Sequence, residues 1–112
     1  MITKVDMEEA KNLFERCSPV FLALGDRQRQ KLFLDIAEAG EVNVSELASM
    51  SSLSRPAVSH HLKLLKDYGI VDAIKKGTQI FYKIDIFPAL ESVISLISAI
   101  QKIAKKEKIQ PV

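Results

Sequence analysis

The 112-residue sequence has one cysteine, Cys17, so it cannot close an internal disulfide and must be held together by core packing. It has two histidines, adjacent at positions 60 and 61, and neither histidine nor cysteine follows His61. Neighbouring residues on a helix point about 100° apart. His60 and His61 therefore cannot grip one metal ion, which would want i, i+4 spacing. Four glycines leave little room for a phosphate-cradling loop, and no paired carboxylates or nucleophile–base set stands at workable spacing. Neither an enzyme nor a bound cofactor is expected. The longest apolar region, Ile84 to Ile103, is interrupted by Asp85, Glu91, three serines, Gln101 and Lys102. It reads as a poor membrane span and a better partner-facing helix. No N-terminal run joins basic residues to an apolar stretch and a small-residue cleavage site, so a cytoplasmic protein is expected.

What is present is ordinary in amount and uneven in placement. A hydrophobic fraction of 47% and a charged fraction of 27% suit a globular protein. The length suits one compact domain over 1–112. The formal net charge is only +2, but residues 1–53 hold 6 basic and 9 acidic side chains, 54–83 hold 6 and 2, and 84–112 hold 4 and 3. A basic middle in a nearly neutral chain points to a local polyanion-binding face.

Hydrophobic spacing predicts the elements. Met7, Ala10, Leu13, Phe14 and Cys17 mark an amphipathic helix over about 6–17, which Ser18-Pro19 is expected to break or bend. Asp26 can cap a second helix whose buried stripe is Leu32, Phe33, Ile36 and Ala37, ending at Gly40. Asn43-Val44-Ser45-Glu46 has the form of a capping box opening a short helix to Met50. Ser54 can cap the next, with Pro56 in its first turn and Gly69 as its stop near Tyr68. Ile70–Lys75 and Gln79–Ile84 then read as a β-hairpin around Lys76-Gly77-Thr78, with Ile80, Tyr82 and Ile84 on one face. Leu90, Val93, Ile94, Ile97, Ile100 and Ala104 mark a final helix over about 88–105, its stripe widened by Leu96 and Ile103.

Two helices joined by a few residues, the second capped and basic, form a helix-turn-helix over about 43–68, and the hairpin over about 70–84 is its wing. The fold class expected is mainly α with a β-hairpin wing: five helices and two antiparallel strands. On the second helix Val58, Leu62 and Leu65 define the side that packs inward. Ser54, Arg55, Pro56, Ser59, His60 and Lys63 then face outward, where short donors reach base edges and cations reach phosphates of double-stranded DNA. Lys75, Lys76, Thr78 and Gln79 place the wing on an adjacent phosphate or minor groove. Arg27 and Arg29 are further candidates for phosphate contact. His61 borders the apolar side, partly buried and bonding a backbone carbonyl, while His60 faces out.

Three segments, ALGDRQRQKLF at 23–33, VSELASMSSLSRPAVSHHLKLLKDYGIV at 44–71 and KKGTQIFYKI at 75–84, together resemble the ArsR/SmtB family of winged-helix repressors. The resemblance implies a homodimer built from the first and last helices, with two recognition helices about 34 Å apart on a palindromic operator. It also implies a repressor of a promoter, often its own, released by an effector that the sequence does not name. One metal site of the family uses two cysteines where Asn43 and Ser45 stand here. Another uses Asp-x-His and His-x-x-His/Glu on the final helix, where this chain has no histidine. The usual metal sites are thus expected to be absent. Cys17, on the apolar face of the first helix, is expected to be packing before it is a redox switch. The rival to a DNA-binding regulator is a winged-helix interaction module that has lost DNA binding.

Overall fold

The computed structural model describes residues 1–107. Its elements are α1 (Lys4–Leu24), α2 (Arg27–Ala39), β1 (Val42–Asn43), α3 (Val44–Met50), α4 (Arg55–Asp67), β2 (Val71–Lys76), β3 (Gln79–Ile84) and α5 (Phe87–Lys106). They group into two compact units. One holds Met1–Ser18 with the residues from Phe87 onward, and the other is Pro19–Ile86.

In the first unit, α1 begins two residues before the predicted start because Thr3 and Asp6 cap it reciprocally. The Thr3 N–H donates to Asp6 Oδ2 at 2.9 Å, and the Asp6 N–H donates to Thr3 Oγ1 at 3.1 Å. The same carboxylate, nearly sealed from solvent, receives Lys102 and Lys106 from α5. A hydrophobic cluster of Leu13, Cys17, Leu96 and Ala99, flanked by Val93, joins the helices. The side of α5 that packs is thus the one carried by Leu96 and Ala99. Leu90, Ile94, Ile97 and Ile100 of the predicted stripe stay exposed, as do Met7 and Phe14 of α1. The interruptions that made this region look like a poor span do not disqualify α5, which is long and apolar enough by length and composition to cross a membrane.

The helix α1 does not end at Ser18-Pro19, as expected, but runs on to Leu24 with Pro19 inside it. Proline deprives the Glu15 carbonyl of its helical donor. Burial of Val20 and Ala23 and side-chain capping of the last carbonyls from α2 hold the extra turn.

The second unit is built around α4. Val58, Leu62 and Leu65 are fully buried with Leu32, Ile36, Leu47 and Ile70. Burying such side chains stabilises a fold by about 1.5–3 kcal/mol each. The stripe on α2 is narrower than predicted, since Phe33 is half-buried and Ala37 is exposed. The helix α4 closes in a Schellman motif, with Gly69 N–H donating to Lys66 O and Ile70 N–H to Leu65 O. Gly69 sits at φ 75°, a conformation that disfavours any residue with a Cβ. The wing strands β2 and β3 pair antiparallel from Val71↔Ile84 to Lys76↔Gln79, so the turn is two residues, Gly77-Thr78, with Gly77 at φ 64°. Lys76 therefore belongs to the strand and not to the turn. A third strand corrects the predicted two: β1 adds to the outer side of β3, pairing Val42↔Tyr82 and Asn43↔Phe81. Two residues are too few to leave an alternating signature, so only the pairing reveals it. Ile80 is exposed, while Tyr82 and Ile84 are half-buried.

The Lys106 and Lys102 ammonium groups and the Thr3 N–H hold the Asp6 carboxyl far below the ordinary carboxylate range, Lys106 most of all. A depressed carboxyl pKa contributes stability that is complete above the unfolded value of about 4 and is lost as pH falls through the folded one. Asp6→Asn should lower the thermal midpoint at pH 7, and its gap to the unsubstituted protein should shrink in melts taken progressively below about pH 4. A gap independent of pH would contradict this ionic role.

Candidate nucleic-acid interface

The residues that the sequence singles out for DNA contact on α4 and the wing lie wholly in the Pro19–Ile86 unit. Ser54 caps α4, its Oγ accepting from the Ala57 N–H at 3.3 Å, and Pro56 sits in the first turn. With Val58, Leu62 and Leu65 turned inward, Ser54, Arg55, Pro56, Ser59, His60 and Lys63 are all exposed, and so are Lys75, Lys76, Thr78 and Gln79 on the wing. The start of α4 and the wing tip are brought together. Arg55, Thr78 and Gln79 line one cleft of about 280 Å³, with Asn43, Ser45 and Ile80 on its other sides.

The cations differ in their freedom. Lys63 Nζ pairs with Asp67 at 2.8 Å, which raises the lysine pKa. Lys76 pairs with Glu41 and lies 5.4 Å over the Phe81 ring. Both pairs are solvent-exposed and contribute little net stability, so a phosphate can displace the carboxylate at little cost. Arg55 and Lys75 have no ion-pair partner among the described residues.

Arg27 is exposed as a phosphate contact requires, but Arg29 is not available for one. Its guanidinium turns back on its own unit: Nε donates to Ala23 O at 2.7 Å and Nη2 to Leu22 O at 3.0 Å. Gln30 Nε2 donates to Leu24 O at 2.7 Å. Together they satisfy the last carbonyls of α1, which has no basic residue in its final turn. The third nitrogen of the fork, Nη1, meets His61 Nδ1 at 3.3 Å. Arginine only donates, so Nδ1 is the accepting side of this contact. His61 is thus half-buried as expected, but its partner is a guanidinium and not a backbone carbonyl. Sequence patterning missed this because the two residues are far apart in the chain and meet only when α2 packs on α4. Asp26 completes the group: the Arg29 N–H it accepts at 3.0 Å, more than any other contact, lowers its carboxyl pKa. His60 faces out, its ring centroid 5.8 Å from that of His61.

Cys17 lies in the other unit, fully buried among Leu13, Leu96 and Ala99. Among the described residues no group of three or more His, Cys, Asp or Glu could hold a metal ion.

The model of the bacterial regulatory protein arsR family matches residues 28–73, from the start of α2 to the wing. The chain is 30% identical over 83 residues to the transcriptional repressor SdpR of Bacillus subtilis, covering 74% of this chain and 91% of that one. Among solved structures, an ArsR-like transcriptional regulator from Rhodococcus superposes with a TM-score of 0.75 at 23% identity, over 85% of this chain and 89% of that one. A homodimeric winged helix-turn-helix DNA-binding domain from Mycobacterium bovis gives a TM-score of 0.64 at 24% identity, over 85% and 88%. At these identities the two structures establish the fold.

Replacing Arg29 by alanine strips three carbonyl and imidazole contacts at once and should cost about 2 kcal/mol of unfolding free energy in a denaturant titration. Arg29→Lys should recover little of it, because one ammonium cannot reproduce the planar fork. Full recovery by lysine would show that charge alone, and not the fork, is what α1 requires.

Proposed function

We propose, on the premise that this chain belongs to the arsR family of bacterial regulatory proteins, that it is a homodimeric transcriptional repressor reading a palindromic operator in double-stranded DNA through α4 and the wing. The observation that carries the reading is the exposure of all ten donor, cationic and flanking side chains on α4 and the wing while the opposite stripe of α4 is sealed in the core. A helix of this width fits the major groove, where Ser59 and His60 reach base edges. Arg55 and Lys63 hold the flanking phosphates, and Lys75, Lys76, Thr78 and Gln79 bring the wing to the neighbouring backbone or minor groove.

Dimerisation through α1 and α5 accounts for the apolar surface that the first unit leaves uncovered. Leu90, Ile94, Ile97 and Ile100 of α5 and Met7 and Phe14 of α1 are exposed large hydrophobics. A contiguous patch of that kind marks an interface. The homodimeric assembly stated for the Mycobacterium bovis domain supports this over a membrane role for α5. A two-fold axis would set the two α4 helices about 34 Å apart, one turn of DNA. The repressor of Bacillus subtilis supports the sign of regulation: an occupied operator blocks a promoter, its own being the first candidate. Such a protein works in the cytoplasm, where DNA is. Its releasing signal is not a metal bound at the thiolate or histidine sites of the family, whose positions here carry Asn43, Ser45 and an α5 without histidine. Cys17 serves as packing within the first unit.

Affinity for a duplex carrying the promoter beside its own gene should fall steeply with salt, as neutralised phosphates release counterions. Arg55→Ala and Lys75→Ala should each weaken binding across sequences and reduce the log–log salt slope by about 1. Salt-insensitive or absent binding would refute the DNA reading. Separately, Ile97→Glu should yield monomers in sedimentation equilibrium and a loss of operator binding, and a dimer that survives that charge would move the interface elsewhere.

A further inference from the structure

We propose that Asn43 is a positioning residue for the wing, holding the terminal amide of Gln79 so that its N–H groups are the ones offered to DNA. The proposal rests on the DNA-binding role above and adds to it a residue outside the recognition helix and the wing. Three restraints meet at Asn43. It is the last residue of β1, paired with Phe81 of β3; it caps α3; and its side chain reaches Gln79, the first residue of β3.

What each atom can do decides how both amides are turned. A backbone N–H only donates, so the Asn43 atom 2.8 Å from the Glu46 nitrogen is the oxygen Oδ1. Nδ2 then faces Gln79 at 3.2 Å, and because an amide nitrogen only donates, Gln79 must answer with Oε1. The Gln79 Nε2 group is left with its donors unused by Asn43, at the cleft that Gln79 lines with Arg55, Ser45 and Thr78. Donors suit phosphate oxygens and the acceptor-rich floor of the minor groove, whereas an outward carbonyl would meet like partial charge. The capping box of α3 therefore dictates, through one intervening side chain, which end of the wing amide a DNA strand meets. The Arg55 guanidinium on the same cleft supplies the charge that a phosphate needs.

The test is a double-mutant cycle on the full chain, read as affinity for the duplex promoter fragment by fluorescence anisotropy. Gln79→Ala should weaken binding about 5-fold, the worth of one hydrogen bond. Asn43→Ser keeps a capping oxygen but loses the amide, and should weaken binding by a similar factor with little change in thermal midpoint. The double substitution should be no weaker than either single one. Asn43→Asp guards against loss of the cap: its carboxylate accepts from Glu46 and from Gln79 Nε2 alike, turning the Gln79 carbonyl outward. In that background Gln79→Ala should produce no further loss, so the added charge cancels in the comparison. Losses that multiply in both cycles, or wild-type affinity for Asn43→Ser, would overturn the positioning role while leaving DNA binding intact. Failure of the unsubstituted protein to bind the fragment would overturn the DNA-binding role itself, and this proposal with it.

Discussion

The rotation of α4 about its own axis is the constraint on which the interface depends. Val58, Leu62 and Leu65 are sealed against Leu32, Ile36, Leu47 and Ile70. A shift of one residue toward the C-terminus, a rotation of about 100°, would exchange that stripe for Ser59, Lys63 and Lys66 and put buried polar groups in its place. The same packing that stabilises the unit thus selects the side chains left outside. Capping sets the ends: Ser54 and Pro56 start the helix, and the Schellman turn at Gly69 stops it where β2 must begin.

Two polar contacts refine that placement from opposite sides. Arg29 ties α4 to the end of α1 and the start of α2, because one planar fork can satisfy two carbonyls and the His61 imidazole together. Asn43 ties α3 to the wing. Neither contact is strong in isolation, since a hydrogen bond contributes only about 1 kcal/mol net. Their value lies in direction. Each fixes the orientation of a planar side chain and hence which of its atoms remains available, His61 being turned to the protein and Gln79 offering its N–H groups.

Much of this was legible beforehand. The caps at Asp26, Asn43 and Ser54, the stripe of α4, the stop at Gly69 and the ten exposed side chains of α4 and the wing all follow from local rules, because each involves residues within one helical turn or one hairpin. The misses share a physical cause. Continuation of α1 through Pro19 depends on carbonyls capped from α2, and the role of Arg29 depends on α2 meeting α4. The strand β1 exists only because β3 lies beside it. The apolar arc of α5, by contrast, was expected to be partner-facing, and Leu90, Ile94, Ile97 and Ile100 are exposed; only packing shows that its own chain covers Leu96 and Ala99, because an amphipathic pattern cannot say which part of an apolar side will be covered.

The order of the elements other than β1, the inward and outward sides of α4 and the concentration of positive charge near it could be read from the chain alone. Spacing and charge are properties of neighbours along the chain. Tertiary structure alone decided which polar atoms remain free once the elements are packed. It withdrew Arg29 from the interface and tied Lys76 to Glu41. It also set Asn43 against Gln79, 36 positions apart. A donor or acceptor is available to a partner only if no other group has claimed it, and those claims are made between elements that the chain places side by side only on folding.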